Sequence, residues 1–268
     1  MKDLIRVLVI DDSAFTRQTI KRILEKSPLI EVVAWARDGE EALHKALEID
    51  VDLITLDLEM PRMDGFTFLR ILMAQRPTPV IVISGKAGDQ DVFKALDLGA
   101  VDFVAKPSPV ATPELDSIEQ ELIRKVHGIR QLRIDKVADR IGAAAKLGPE
   151  ENEKPAHKVV AIGSSTGGPA ALMRVFSSFE TPPPYAFLVS QHMPEGFTCG
   201  FAERIDRLTS FSAREAQPGD IPAEGSILIA PGGKHLELEQ SGGNIVARIC
   251  DRVEADRYAP SVDRMFLS

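Results

Sequence analysis

Between residues 5 and 105, five short runs rich in β-branched residues alternate with segments of helical period. The runs are IRVLVI (5–10), EVVAWA (31–36), DLITL (52–56), PVIVIS (79–84) and VDFVA (101–105). A parallel neighbour is reached only through a crossover, so such alternation specifies a parallel sheet covered on both faces by helices. The helix after the first run carries Phe15, Ile20, Ile23 and Leu24 near helical spacing. The last helix follows Thr112-Pro113, an N-cap residue type with proline at the first helical position. Its Leu115, Ile118, Leu122, Val126 and Ile129 form one apolar face. Residues 1–134 are therefore expected to form one complete, doubly wound domain.

Residues 135–157 carry small and charged residues with Gly148-Pro149 and little periodicity, the composition of a linker. From residue 158 a second αβ pattern begins, with KVVAIG, a helix over 169–179, YAFLVS, a helix over 196–208 and SILIA. The expected architecture is thus α/β, two doubly wound parallel-sheet domains, the second over 158–268. A length of 268 residues accommodates both. A net charge of −8 gives no general attraction to nucleic acid or anionic membranes. The first apolar run is interrupted by Arg6 and ends in Asp11-Asp12, unlike a signal peptide, and no apolar run reaches membrane-spanning length. Cys199 and Cys250 offer no metal-ligand spacing and suit a reducing compartment, so a cytoplasmic location without membrane insertion is expected.

In an open parallel sheet, ligands sit beyond the carboxyl ends of the strands. Here those ends carry Asp11-Asp12, Asp57, Ser84 and Lys106-Pro107. Three carboxylates in one small volume repel each other unless a cation joins them, and oxygen-only ligands favour a hard ion such as Mg²⁺. A lysine and a hydroxyl opposite them suit a phosphoryl group. Taken singly, Asp12-Ser13 reads equally as a helix cap, Lys106 as a solvated lysine and Phe103 as core. The agreement of four strand ends is what points to a site.

The segments LVIDDS, TLDLEMPRMDGF, VISG and VDFVAKP, in this order and spacing, resemble the receiver domain of two-component response regulators. The resemblance implies a flavodoxin-like sheet with Asp57 as phosphoacceptor, and Mg²⁺ held by Asp11, Asp12, Asp57 and the Glu59 backbone carbonyl. It further implies that Ser84 and Lys106 contact the phosphoryl oxygens, that Phe103 changes rotamer on switching, and that the Lys106-Pro107 bond is cis.

The second domain opens with KVVAIGSSTGGPAA, whose glycines invite two readings. A dinucleotide fingerprint wants glycine where Ser165 stands, and an acid near the end of the next strand, where the chain has Gln191-His192. A Walker loop needs a lysine that is absent here. Read as G-x-S-x-G, residues 163–167 form a nucleophile elbow with Ser165 at its apex. The amides of Thr166 to Gly168 would then face a developing oxyanion, and His192 would accept the serine proton. His44, His127, His157 and His235 read as structural or surface residues.

IGSSTGGPAAL, VSQHMPEGFTCGFAERI, AQPGDIPAEGSILIAPGGKHLEL and YAPSVDRMF resemble consecutive motifs of the CheB-type chemotaxis methylesterases, in a Rossmann-like esterase domain. The resemblance implies a serine hydrolase, without a cofactor in its esterase domain, that converts glutamyl methyl esters on chemoreceptors to glutamate and methanol. It implies deamidation of receptor glutamines as well. Ser165 would be the nucleophile, His192 the base, Thr166 a residue lining the site and Ser164 a supporting residue. A chemotaxis histidine kinase would be the phosphodonor, and the unphosphorylated receiver would restrain the esterase. The family places an orienting aspartate in a Gly-Met-Gly-x-Asp-Gly segment beyond the PSVD motif. These 268 residues hold no such segment, so a polypeptide ending at Ser268 is expected to turn over ester weakly. Two other readings are a non-catalytic signalling protein that binds receptors through a truncated effector domain, and a receiver joined to a nucleotide-binding domain.

Overall fold

The computed structural model describes residues 4–84, 90–106, 113–129 and 154–268, the side chains of 90 and 113–117 excepted. The chain divides into two units, Met1–Asp139 and Arg140–Ser268.

In the first unit β1 (Ile5–Ile10), α1 (Ala14–Leu24), β2 (Ile30–Ala36), α2 (Gly39–Glu48) and β3 (Leu53–Asp57) follow one another. They continue as α3 (Gly65–Gln75), β4 (Val80–Ser84), α4 (Gln90–Asp97), β5 (Asp102–Ala105) and α5 (Pro113–Gly128). The five strands are parallel, as the alternating pattern requires, and run in the order β2-β1-β3-β4-β5, the flavodoxin-like order that the receiver resemblance implies. Chain order reverses between β1 and β3, and this switch point brings Asp11, Asp12 and Asp57 to one edge of the sheet. Ile20, Ile23 and Leu24 of α1 pack with Leu122, Val126 and Ile129 of the α5 segment around Val7, Val9 and Ile81. Phe15 departs from the expected apolar face and stands 56% exposed. At about 100° per residue it lies roughly 140° around the helix from Ile20. Thr112 and the Lys106-Pro107 bond fall outside the described residues.

The second unit holds β6 (Val159–Ser164), α6 (Gly168–Ser177), β7 (Ala186–Gln191), α7 (Phe197–Leu208), β8 (Ser212–Glu215) and β9 (Ser226–Ile229). Its four strands are parallel, in the order β6-β7-β9-β8. Under the sheet, Phe176, Phe187 and Phe211 meet edge to face at 5.4 Å. Lys154 and Ala156, at the end of the stretch read as linker, hydrogen-bond to Glu224 and Pro222 of this unit (2.9 Å each).

Two features of this unit depart from a purely parallel sheet with five recognisable elements. The edge strand β8, reading SARE, has only Ala213 fully buried, which hid it among polar residues. Beyond β9, β10 (Lys234–Ser241) and β11 (Asn244–Asp251) form a separate antiparallel ribbon. Its turn glycines Gly242 and Gly243 take φ of 57° and 86°, the left-handed pair that a two-residue hairpin demands. The short α8 (Val262–Leu267) closes the unit, with Met265 packed against Leu236 and Ala247 of the ribbon. Glu237 of β10 pairs with both Arg248 and Arg264, and Asp256 pairs with Arg264 and with the buried His235. Asp256 is therefore a residue of this structural network. His235 accepts from Ser261 N–H at Nδ1 (3.0 Å) and bonds Asp256 through Nε2 (2.8 Å), a buried structural histidine.

Candidate functional site

The first site lies where β1 and β3 end. Asp11, Asp12 and Asp57 each offer an oxygen, and these atoms all lie within 4.8 Å of one another. The positions are locally fixed. Asp11 accepts from Ser13 N–H (2.8 Å), Ser13 caps α1, and Arg17 donates to the carbonyls of Asp11 (2.6 Å) and Asp12 (3.0 Å). In the loop after β3, Arg62 takes a left-handed φ of 66° and its guanidinium pairs with buried Asp38. Lys106 donates to Asp57 (2.5 Å) and stands 3.4 Å from Asp11. Ser84, ending β4, is buried beside this group of strand ends.

Burial pushes the Asp11 and Asp57 carboxyls above the ordinary carboxylate range, and the attraction of Lys106 only partly offsets it. Burial would lower the Lys106 ammonium, but Asp57 and Asp11 outweigh it and hold it above its ordinary value. One oxygen of Asp11, Oδ2, is buried and accepts no hydrogen bond. A buried acceptor whose nearest cation, the Lys106 ammonium, stands 3.4 Å away, in a set of oxygen ligands that repel one another, is the chemistry that fits Mg²⁺.

Phe103, in β5, is wholly buried. The ammonium of Lys125 stands 5.0 Å from its ring and donates to the Phe103 carbonyl (2.6 Å) and to buried Asp102 (2.7 Å). Burial alone would lower Lys125, but Asp102 and Glu121 hold it above its ordinary value. The Asp102–Lys125 pair escaped the sequence reading, since neither residue differs in type from a solvated surface charge.

The second site lies where β6 turns into α6. Register pairs Gly163 with Ser190 and Ser164 with Gln191, so the turn after β6 lies beside the end of β7. His192 N–H then donates to Ser164 O (3.2 Å), extending the pairing by one residue. The structure brings Ser165 and His192 together, with Oγ 3.2 Å from Nδ1. Gly167 takes φ 73° and begins α6 without a side-chain cap, and Pro169 follows in the first turn. Gly163 is needed for close approach, since a Cβ there would lie 2.3 Å from Val262 of α8. Thr166 is half-buried at the same turn. The Gly168 amide, expected to face an oxyanion, instead donates to Ser165 O (2.8 Å), because the turn folds back on itself.

Two neighbours were not singled out from sequence. The Tyr258 ring lies 4.9 Å from the His192 ring at 36°. Gln191 places its side-chain oxygen 2.6 Å from Ser164 Oγ. Both stand in the quoted motif segments, VSQHMPEGF and YAPSVDRMF, but only the register and the return of the chain past α7 bring them to the turn.

Comparison with known proteins covers both units. The response regulator receiver domain family matches residues 7–115, and the CheB methylesterase family matches residues 160–268. A Geobacter sulfurreducens protein named protein-glutamate methylesterase/protein-glutamine glutaminase 3 is 46% identical over 98% of this chain and 77% of its own length. A Myxococcus xanthus protein, protein-glutamate methylesterase/protein-glutamine glutaminase 1, is 45% identical over 100% of this chain and 76% of its own. The response regulator domain of Thermotoga maritima CheB, a crystal structure, is 39% identical, covering 48% of this chain and 98% of that one with a TM-score of 0.45.

Proposed function

This chain belongs to the family of receiver-linked CheB methylesterases, and from that premise we propose a phosphorylation-regulated protein-glutamate methylesterase and protein-glutamine glutaminase acting on chemoreceptors. The observation that carries the reading is the approach of Ser165 Oγ to His192 Nδ1, 3.2 Å, at the apex of a strand-to-helix turn. A serine hydroxyl is a weak nucleophile at neutral pH, and a histidine within hydrogen-bond reach is what activates it. Ser165 Oγ attacks the glutamyl ester carbonyl while its proton passes to His192. The C–OCH₃ bond then breaks, and the proton returns to the leaving oxygen as methanol. Water attacks the acyl-serine with the same histidine as base, which frees the glutamate and restores Ser165. With a glutamine side chain, ammonia leaves instead. Thr166 and Ser164 line and support this turn, and the ring face of Tyr258 lies against the histidine that becomes charged during transfer.

Regulation falls to the first unit. Asp57 accepts a phosphoryl group from a chemotaxis histidine kinase. Asp11, Asp12 and Asp57, with the Glu59 carbonyl, would hold Mg²⁺, which neutralises charge on the transferring group when bound. Phosphorylation adds about −1.5 to −2 of charge beside Lys106 and Ser84. Lys106 would leave its bond to the Asp57 carboxylate for a phosphoryl oxygen, and Ser84 would donate to another. Phe103, buried in β5, is the aromatic residue whose rotamer responds. No described helix is long and apolar enough to cross a membrane.

The test is methanol release from methyl-esterified receptor by the full-length protein, with and without a small-molecule phosphodonor. The reading expects release that rises with the donor, loses that response in Asp57→Ala, and disappears in Ser165→Ala. Release indifferent to Ser165→Ala would overturn it.

A further inference from the structure

Gln191 ends β7 and its side chain is wholly buried, between the two residues that meet at the elbow. Its Oε1 accepts from Ser164 Oγ (2.6 Å), while Nε2 donates to Ser165 O (3.0 Å) and to His192 O (3.0 Å). The network fixes which atom is which. Reversing the amide would set its oxygen against two carbonyl oxygens that can only accept. Both amide protons are thereby spent on the main chains of Ser165 and His192, one on the turn after β6 and one on the turn after β7. The neighbouring turn is shaped around the amide, since a Cβ at Gly168 would lie 1.8 Å from Gln191 Oε1. A side chain that only filled the core would need none of these three bonds.

We propose that Gln191 is a positioning residue for the hydrolysis: it clamps the backbones of Ser165 and His192 so that Oγ and Nδ1 stand at reacting distance. Ser164 belongs to the clamp as the donor that orients the amide. The inference rests on Ser165 and His192 being nucleophile and base. A side chain that fits the space but donates nothing leaves both carbonyls unclamped, while the His192 N–H to Ser164 O bond still joins the two backbones. A misplacement of reacting groups by about 1 Å lowers turnover about 10²-fold.

The test compares Gln191→Leu, Gln191→Glu, Ser165→Ala and the unaltered full-length protein. Methanol release is normalised to the serine titrated to completion by a fluorophosphonate, so that a loss of folded protein drops out. For Gln191→Leu, kcat per titrated serine should fall about 10²-fold with KM changed less than about twofold, and the rate of fluorophosphonate labelling should fall in parallel. A kcat per titrated serine within about threefold of the unaltered protein would overturn the proposal. Should Gln191→Leu give no folded protein, Gln191→Glu decides. Only the protonated carboxyl can donate, so its kcat relative to the unaltered protein should rise as pH falls, and a flat ratio would overturn the proposal. Ser165→Ala separates the two levels. If it keeps its methanol release, the assignment of the nucleophile fails. If it loses release while the Gln191 variants keep theirs, the clamp alone fails.

Discussion

At the end of β3, Asp57 is held by charge: a lysine 2.5 Å away, and two further carboxylates whose oxygens share a 4.8 Å cluster with its own. At the turn after β6, Ser165 is held by hydrogen bonds: a histidine nitrogen at 3.2 Å, an amide on its carbonyl and the peptide of Gly168. The helices that follow differ in the same sense. Helices α1, α2 and α3 begin at Ser13, Asp38 and Asp64, whose side chains accept from the first-turn amides. Helices α6 and α7 begin at Gly167 and Gly196, with φ of 73° and 85° and no side-chain cap bond. Relative to such a cap a glycine gives up only about a few tenths of a kcal/mol, so the second unit loses little stability at these two points while its backbone turns tightly beside Ser165 and His192. The acidic pocket works by balance of charge and the elbow by placement, and the two should fail in different ways.

The largest effects separate the sites. Ser165→Ala should lower methanol release by about 10⁴-fold or more while leaving phosphoryl uptake unchanged. Asp57→Asn should abolish acid-stable, base-labile phosphoryl incorporation and leave unstimulated methanol release within about twofold. Loss of both activities in either variant would break the separation. Radiolabel incorporation and a methanol assay on the same samples read both.

Metal and pH sharpen the charge side. Asp12→Asn should weaken Mg²⁺ binding about tenfold or more, measured by calorimetry, as a carboxylate ligand is lost. Burial raises the folded carboxyls of Asp11 and Asp57 above their unfolded values. Their contribution to stability is therefore present below the unfolded carboxylate pKa, near 4, and is lost as pH rises through the raised folded values. Mg²⁺ compensates only the ionised forms. The rise in the receiver's melting temperature on adding Mg²⁺ should accordingly be larger at pH 7.5 than at pH 5, and an equal rise at both would contradict the charge-balance view.

The smallest effect tests the caps. Asp64→Ala should cost about 1 kcal/mol in a denaturant titration of the receiver transition. The bond from Thr67 N–H holds the Asp64 carboxyl below its ordinary range, so its contribution is present above about pH 4 and is lost as pH falls through that lowered value. Gly167→Ala should cost a similar amount, from the left-handed φ, but should also slow methanol release. Asp64→Ala should leave that release unchanged.

The same contrast decides how much was legible in the sequence. Asp11, Asp12, Asp57, Ser84 and Lys106 stand at strand ends, and strand ends are readable from β-branched runs, so the pocket could be assembled without knowing any contact. The elbow was legible only as a motif, because G-x-S-x-G describes both a nucleophile's turn and an ordinary glycine-rich turn. Gln191 and Tyr258 depend on register and on a distant return of the chain, which no local pattern records. Phe15 misled because hydrophobicity was read without its angle around α1. The β10–β11 ribbon did leave a signal, Leu236 and Leu238 alternating with Glu237 and Glu239 before Gly242-Gly243, the spelling of a hairpin. Strand β8 left almost none, since an edge strand with one fully buried residue carries no apolar run.

The central claim is that Ser165 is the atom-bearing nucleophile of an ester hydrolase, and trapping its acyl intermediate tests this most directly. Full-length protein would be mixed with methyl-esterified receptor peptide, quenched in acid within a turnover, digested and mapped by mass spectrometry. The expected result is a glutamyl adduct on Ser165 that vanishes in Ser165→Ala. An adduct on Ser164, or methanol release at an unchanged rate from Ser165→Ala, would contradict it.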